Sequence, residues 1–320
     1  MTIKTAIIGL GIMGRRMAQE MQDHLAFEPA FLWDPNPETA ALAQAVAPGG
    51  MIAHSAEAAI AQADLVYLAC PPGPRRAYAL MAAAQGKALF LEKPLGVDIA
   101  ASADLVQRIA AAGVPAAVNF TQATGPALNG ILDDARAGRM GDQAGIDIVV
   151  TYGAWPRAWQ QAADWLRLRD EGGMTREVIS HFLFFSERVL GPLSLVWARP
   201  SYPDDPALCE THLLARLENA AAVPVSIMAS VGGAQPDRQE LTVKASLQSR
   251  RVSEFCLDSA STGQAFEPVD HGPQGQRGAA LAQQLDDLAL MVAHRPHRLA
   301  TLAEALRVQH LIEAMLQGKS

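Results

Sequence analysis

A chain of 320 residues, half of them hydrophobic and 18% charged, has material for two folded domains with their own cores and lies outside the disordered class. Its net charge of −7, with no basic run or basic-aromatic stripe, argues against a nucleic-acid surface. The three cysteines, Cys70, Cys209 and Cys256, are far apart and odd in number, so neither a disulfide framework nor a thiolate metal site is expected; they fit a reducing compartment, with the cytoplasm as default.

The N-terminal apolar run follows Lys4, but Arg15-Arg16 interrupts it and no small-residue cleavage site follows, so a secretion signal is not expected. The longest uncharged stretch, Asn219 to Pro236, contains two prolines and two glycines and is poor material for a membrane span.

The first element, Ile3-Lys4-Thr5-Ala6-Ile7-Ile8, leads into Gly9-Leu10-Gly11-Ile12-Met13-Gly14 and a helical pattern rich in Met, Ala and Gln; a second apolar run ends at Asp34. This order of strand, glycine turn, helix and strand predicts a dinucleotide-binding unit. Gly9 permits the tight turn, Gly11 removes a side chain where a pyrophosphate approaches, and Gly14 lets the helix pack against the sheet. The N–H groups of the first helical turn, with Ile12 and Met13, then face the phosphates. Arg15 and Arg16 point either toward a pyrophosphate or into solvent. Asp34, twenty positions beyond Gly14, is placed to accept hydrogen bonds from an adenosine ribose. It would repel a 2′-phosphate, and Pro35-Asn36-Pro37 offers no compensating cation, so NAD is expected in preference to NADP.

Short apolar runs and alanine-rich helices continue, predicting a parallel sheet covered on both faces. A helix over Pro37 to Val46, a strand over Met51 to His54 and a helix from the N-cap Ser55 through Gln62 come next. The buried strand Asp64 to Cys70 is cut off by Pro71-Pro72-Gly73-Pro74, and Cys70, Pro71 and Pro72 are therefore expected to border the cofactor. A helix to Gln85 and the strand Ala88 to Leu91 lead to Glu92-Lys93-Pro94. A lysine at such a strand end costs desolvation unless it is paired or useful, and partial desolvation suits it to proton transfer. A solvated Glu-Lys pair is the alternative reading.

Beyond Asn119 the rhythm changes, which divides the chain into residues 1–119 and 120–320. A helix from Gly125 to Ala137 and a strand from Asp147 to Tyr152 precede the aperiodic stretch Gly153 to Gly173. Trp155, Arg157 and Trp159 there suit a substrate wall, and Trp165 an anchor to the core. A helix from Gly172-Gly173 to Leu190 puts Glu177 and His181 on one face, with Arg176 turned away toward a surface ion pair. No second histidine accompanies them at the spacing of a zinc helix, and no metal is expected. Runs at Leu193–Ala198, Cys209–Leu217, Val223–Ser230, Glu240–Leu247 and Val252–Leu257 read as an antiparallel sheet. Ser259 to Gly278 reads as a mobile excursion, His294 and His297 as loop, and Ala279–Ala293 and Thr301–Leu316 as closing helices.

The segments Gly9 to Gly14, Asp64 to Pro71, Gly86-Lys87-Ala88-Leu89-Phe90-Leu91-Glu92-Lys93-Pro94 and Glu177 to His181 resemble the glucose-fructose oxidoreductase and inositol dehydrogenase family. Weaker similarity runs through almost the whole chain. The resemblance implies an α/β protein: a Rossmann domain followed by an α/β domain whose open, mostly antiparallel sheet shapes the substrate pocket and forms a homodimer or homotetramer interface. It places Glu92, Lys93 and Asn119 on the cofactor side. Four positions depart from the family pattern. Arg75 stands where a histidine is common, no arginine follows Asn119-Phe120, Glu177 stands where an aspartate is common, and Phe184 takes a position that is often acidic.

The implied reaction is reversible hydride transfer between NAD and a hydroxyl or carbonyl carbon of a polyol, sugar or related small molecule. Lys93 would hydrogen-bond the reacting oxygen, His181 would act as base or relay, Glu177 would orient the histidine or bind substrate, and Glu92 would position Lys93. Two other readings stay open: a lyase or glycosidase that uses transient oxidation, and a dinucleotide sensor without turnover.

Overall fold

The structure is a computed structural model that describes residues 2–160, 163–272 and 279–318. Contacts divide the chain into two compact units, Met1–Thr124 with Gly278–Leu306 and Gly125–Arg277 with Arg307–Ser320.

In the first unit, β1 (Ile3–Ile8), α1 (Ile12–Asp23), β2 (Phe27–Trp33), α2 (Pro37–Val46), β3 (Met51–Ile52) and α3 (Ala56–Gln62) follow one another. They continue with β4 (Leu65–Leu68), α4 (Pro72–Ala84), β5 (Ala88–Glu92), α5 (Ile99–Ala112) and β6 (Ala116–Asn119). The strands form one parallel sheet in the order β3-β2-β1-β4-β5-β6. The direction of winding reverses between β1 and β4, and in such sheets the ligand crevice opens beyond the strand ends at that point. Its central strands β4 and β5 are buried on both faces and read as continuous apolar runs, whereas the edge strand β3 is exposed.

Several boundaries differ from those read in the sequence. Met51 to His54 contracts to a two-residue strand, and α4 starts at Pro72, inside the proline run expected to form a turn. Proline has no N–H to lose in a first helical turn, so the run starts a helix as well as ending a strand. α5, which the sequence reading did not delimit, is capped by Asp98, whose Oδ1 accepts from the Ala101 N–H at 2.7 Å.

The second unit contains α6 (Pro126–Arg136), β7 (Gln143–Tyr152), a π turn over Thr175–Ile179 and α7 (Ser180–Leu190). β8 (Leu193–Ser201), β9 (His212–Asn219), β10 (Pro224–Val231) and β11 (Arg238–Ala245) come next, then β12 (Ser249–Ser253), β13 (Leu257–Ser261) and β14 (Glu267–Pro268). They form an eight-stranded sheet, β14-β13-β12-β11-β7-β10-β9-β8, in which β7 and β10 run parallel and the other pairs antiparallel. Val196, Trp197, Leu214 and Met228 lie exposed on strands of this sheet.

The run Val252 to Leu257 is not one strand. Glu254 and Phe255 have φ of 50° and 65°, and the chain reverses there from β12 into β13. Part of the expected excursion is likewise ordered as the end of β13 and as β14, while residues 273–278 lie outside the described residues.

α8 (Ala279–Val292) presents Leu281, Leu285, Leu288 and Met291 at helical spacing to the same buried cluster as Ile7, Leu32, Tyr67 and Phe90. This helix therefore belongs to the first unit although it lies beyond residue 119, because an amphipathic stripe is buried wherever a complementary face exists. α9 (Leu302–Leu316) ends the described helices. No described helix is long and apolar enough to cross a membrane.

Candidate active site

The glycine turn shows why each glycine is needed. Gly9 has a φ of +91°, and a Cβ there would fall 2.5 Å from the Cys70 nitrogen; one on Gly14 would fall 2.0 Å from the Gly9 carbonyl oxygen. These two positions are closed by the protein's own backbone. A Cβ on Gly11, by contrast, would meet nothing within 4 Å. The turn is thus tight on its inner side and open at Gly11. α1 begins there with no side-chain cap and no acidic residue in its first turn, so its leading N–H donors keep their affinity for an anion. Ile12 and Met13 are half-buried at this helix start.

Asp34 ties the turn to the end of β2. Its Oδ2 accepts from the Leu10 N–H at 2.7 Å and its Oδ1 from the Asn36 N–H at 2.9 Å. A carboxylate has further lone pairs on both oxygens, so these bonds fix its direction without saturating it. Arg15 donates through Nη1 to the Leu10 carbonyl at 3.0 Å and supports the loop, whereas Arg16 is exposed. An open backbone with free helical donors, followed by a fixed carboxylate, suits a pyrophosphate joined to an unphosphorylated ribose. Gly9, Gly11, Ile12, Met13, Gly14 and Asp34 would hold those parts of NAD.

The ends of β4, β5 and β6 form a buried polar network. Glu92, only 6% exposed, accepts on Oε1 from the Tyr67 hydroxyl and from Asn119 Nδ2 at 2.5 Å. Asn119 Oδ1 in turn accepts from Gln284 Nε2 of α8 at 2.8 Å. The solvated Glu-Lys alternative is therefore corrected for the glutamate: β5 extends to Glu92, and its side chain is taken up by neighbouring strands. Burial pushes the Glu92 carboxyl above the usual carboxylate range, with the Tyr67 hydrogen bond and the Lys93 and Arg75 charges opposing. The buried Tyr67 phenol, beside Glu92, is pushed well up. Lys93 follows at the strand end, half-buried, and its bond to Pro94 is cis.

Arg75 is the residue whose role the sequence did not reveal. It is 2% exposed and donates to the Cys70 carbonyl at 2.6 Å, the Glu92 carbonyl at 2.6 Å and the Pro94 carbonyl. Cys70 is itself buried, and burial raises its thiol above the ordinary range, which makes it a poor nucleophile. Pro71 and Pro72 carry the chain from that residue into α4.

In the second unit, Glu177 lies in the π turn and His181 in the first turn of α7; both are half-buried. The uninterrupted helix expected from Gly173 to Leu190 is corrected: the wider turn changes the angular offset of the pair from that of a plain α-helix, at a type of irregularity frequent in functional sites. The His181 ring meets Phe255 edge-on at 5.5 Å, and Phe255 stacks on Phe182 at 5.3 Å. The left-handed residue at the β12–β13 reversal thereby buttresses the histidine.

Arg176 is not a surface residue. It forms a buried bidentate pair with Glu313, at 2.7 and 2.8 Å, and donates to the Arg169 and Gly172 carbonyls at 2.7 and 2.9 Å. The neighbouring Thr175 N–H donates at 2.6 Å to Glu210, whose carboxyl is pushed up by burial. These bonds anchor the π turn.

Arg157 lies among aromatic rings, 5.0 Å from that of Tyr152, 5.9 Å from Trp155 and 4.7 Å from Trp159, and donates through Nε to Gln160 at 2.9 Å. Trp155 donates to the Leu166 carbonyl at 3.0 Å and so braces the loop, while Trp159 is 57% exposed. Burial pushes up the Tyr152 phenol; the Arg157 charge opposes, and Asp237, Glu254 and Glu177 reinforce. Tyr152 thus shares its surroundings with both Arg157 and Glu177. Phe184 is buried under the Arg188 guanidinium at 4.9 Å. Among the described residues no group of three or more His, Cys, Asp or Glu is arranged to hold a metal ion.

Residues 3–120 match a family described as the oxidoreductase family with an NAD-binding Rossmann fold. The inositol 2-dehydrogenase of Cereibacter sphaeroides is 35% identical over 115 residues, 35% of this chain and 34% of that protein, so the match spans about a third of the relative. The WlbA dehydrogenase from Bordetella pertussis, solved with NADH and UDP-GlcNAcA, superposes with a TM-score of 0.83 at 19% identity, covering 99% of this chain and 96% of that one. The scyllo-inositol dehydrogenase from Lactobacillus casei, solved with NAD(H) and scyllo-inositol, gives 0.81 at 18%, with the same coverage. At these identities the superpositions establish the fold of the whole chain.

Proposed function

We propose that this chain, whose residues 3–120 match the NAD-binding Rossmann oxidoreductase family, transfers a hydride between NAD and a hydroxyl or carbonyl carbon of a polyol, sugar or related small molecule. The observation that carries the reading is the half-buried Lys93 at the end of β5, next in sequence to the buried Glu92 network and in the same unit as the glycine turn.

When bound, NAD supplies the hydride acceptor in oxidation or the donor in reduction. Lys93 hydrogen-bonds the reacting oxygen and supports the charge that develops on it as the hydroxyl proton leaves. Glu92 holds the lysine's strand end through Tyr67 and Asn119. His181 serves as base, Glu177 orients that imidazole, and Arg157 with Trp155 and Trp159 supplies substrate contacts. Asp34 favours NAD over NADP, since its carboxylate is already directed by two N–H donors and would face a 2′-phosphate as a like charge.

The exposed Val196, Trp197, Leu214 and Met228 on the eight-stranded sheet support a homo-oligomer formed through that sheet. The three cysteines, all free, support a cytoplasmic setting.

Turnover of a polyol and sugar panel with NAD, followed by nicotinamide absorbance and product analysis, tests the reading. Lys93→Met is expected to leave NADH binding near normal and to lower turnover by roughly two to four orders of magnitude. Undiminished turnover in that variant removes Lys93 from the chemistry. A product without net redox change identifies a lyase or hydrolase.

A further inference from the structure

We infer that Arg75 is a positioning residue for Lys93, a conclusion that rests on the catalytic role proposed above for that lysine. Nη1 donates to the Glu92 carbonyl at 2.6 Å and to the Pro94 carbonyl, the peptide oxygens of the residues immediately before and after Lys93. Nη2 donates at 2.6 Å to the Cys70 carbonyl, just past the end of β4. One rigid, permanently charged fork thus fastens the lysine's backbone on both sides and ties it to the adjacent strand end.

The chemistry of this arrangement is specific to arginine. Open carbonyls at strand ends have no ladder partner, and burying them without donors is costly. A guanidinium offers five donors in one plane, enough to serve three carbonyls at once, whereas an ammonium is a point charge on a flexible stem. The side chain is 2% exposed, and all three of its described hydrogen bonds go to main-chain oxygens. Such bonds fix backbone position without consuming the side-chain carboxylate of Glu92, which is held separately by Tyr67 and Asn119. The substitution of arginine for the histidine common in the family therefore places a backbone clamp beneath the lysine.

The test is a double-mutant cycle between Arg75→Met and Lys93→Met, with Arg75→Lys as the conservative variant. Folding is monitored by circular dichroism and NADH affinity by fluorescence. Arg75→Met is expected to lower kcat roughly 10- to 100-fold, the scale of a reacting group displaced by about 1 Å, and to shift the pH profile of kcat. Arg75→Lys should fall between it and wild type. In the Lys93→Met background, Arg75→Met should add no further loss, because it acts through the lysine. Independent, multiplicative losses, or a folded Arg75→Met with wild-type kcat and pH profile, would overturn the inference. Full turnover in Lys93→Met with a loss in Arg75→Met would show that the functional reading itself had failed.

A second readout needs no substrate and decides the matter if Arg75→Met does not fold. The rate at which an amine reagent modifies Lys93 is compared with that of Lys4 and Lys87 by peptide mass spectrometry. In Arg75→Lys, the Lys93 rate should change relative to the two control lysines. An unchanged relative rate would contradict the clamp.

Discussion

The two units arrange their candidate residues by different means. In the first, the glycine turn, Asp34 and Lys93 are fixed largely by main-chain constraints: Gly9 and Gly14 have no room for a Cβ, Asp34 is held by two N–H groups, and Lys93 is flanked by carbonyls that Arg75 binds. In the second, Glu177 and His181 depend on side chains distant in sequence, Glu313 beneath the π turn and Phe255 against the imidazole, while Arg157 is held by the side chains of Tyr152, Trp155, Trp159 and Gln160. Main-chain geometry can hold a cofactor of constant shape, whereas side-chain packing can be exchanged as substrates differ.

The largest expected effect that separates the two units falls on the second. Arg176→Leu would leave Glu313 buried without its cation and should lower stability by about 3 to 5 kcal/mol, measured by chemical denaturation. If NADH affinity fell in step while the protein remained folded, the contrast between the units would break down. Within the first unit the glycines should behave oppositely. Gly14→Ala forces a Cβ into the Gly9 carbonyl and should cost about 1 to 3 kcal/mol. Gly11→Ala meets no protein atom within 4 Å, should stay within about 0.5 kcal/mol of wild type, and should still weaken NADH in a fluorescence titration. Wild-type affinity in Gly11→Ala would place the pyrophosphate elsewhere.

Asp34→Ala should weaken NADH by about 1.5 to 3 kcal/mol and narrow the preference over NADPH, read from parallel titrations. An unaltered preference would remove Asp34 from the ribose contact. The smallest effect concerns pH. Burial raises the Glu92 carboxyl in the folded state, so the folded protein holds that proton more tightly than the unfolded chain. The stability it contributes is therefore present below the unfolded carboxylate value and is lost as pH rises through the higher folded value. Glu92→Gln should flatten this part of the stability profile; an identical profile would show that Glu92 ionises without a folding penalty.

Much of the first unit was legible because its signals are local. The order from Ile3 to Asp34 names a strand, a turn, a helix and a carboxylate within one short stretch, and a parallel sheet follows from the same repeated pattern. Arg75 was legible only as a departure, since its three acceptors come together only once β4 and β5 are paired. In the second unit, Glu177 and His181 could be singled out, but the π turn depends on Glu313, 137 residues from its partner Arg176. Val252 to Leu257 looked like a strand because apolar pattern gives no sign of positive φ at Glu254 and Phe255. The amphipathic stripe of α8 was readable, and its destination in the first core was not.

The most direct test of the central claim is a fluorescence titration of the folded wild-type protein with NADH and with NADPH. Saturable NADH binding, tighter than that of NADPH, is the expected result. Binding of neither nucleotide would contradict the account at its base, because the open backbone at Gly11 would then hold no dinucleotide and Lys93 would have no hydride chemistry to assist.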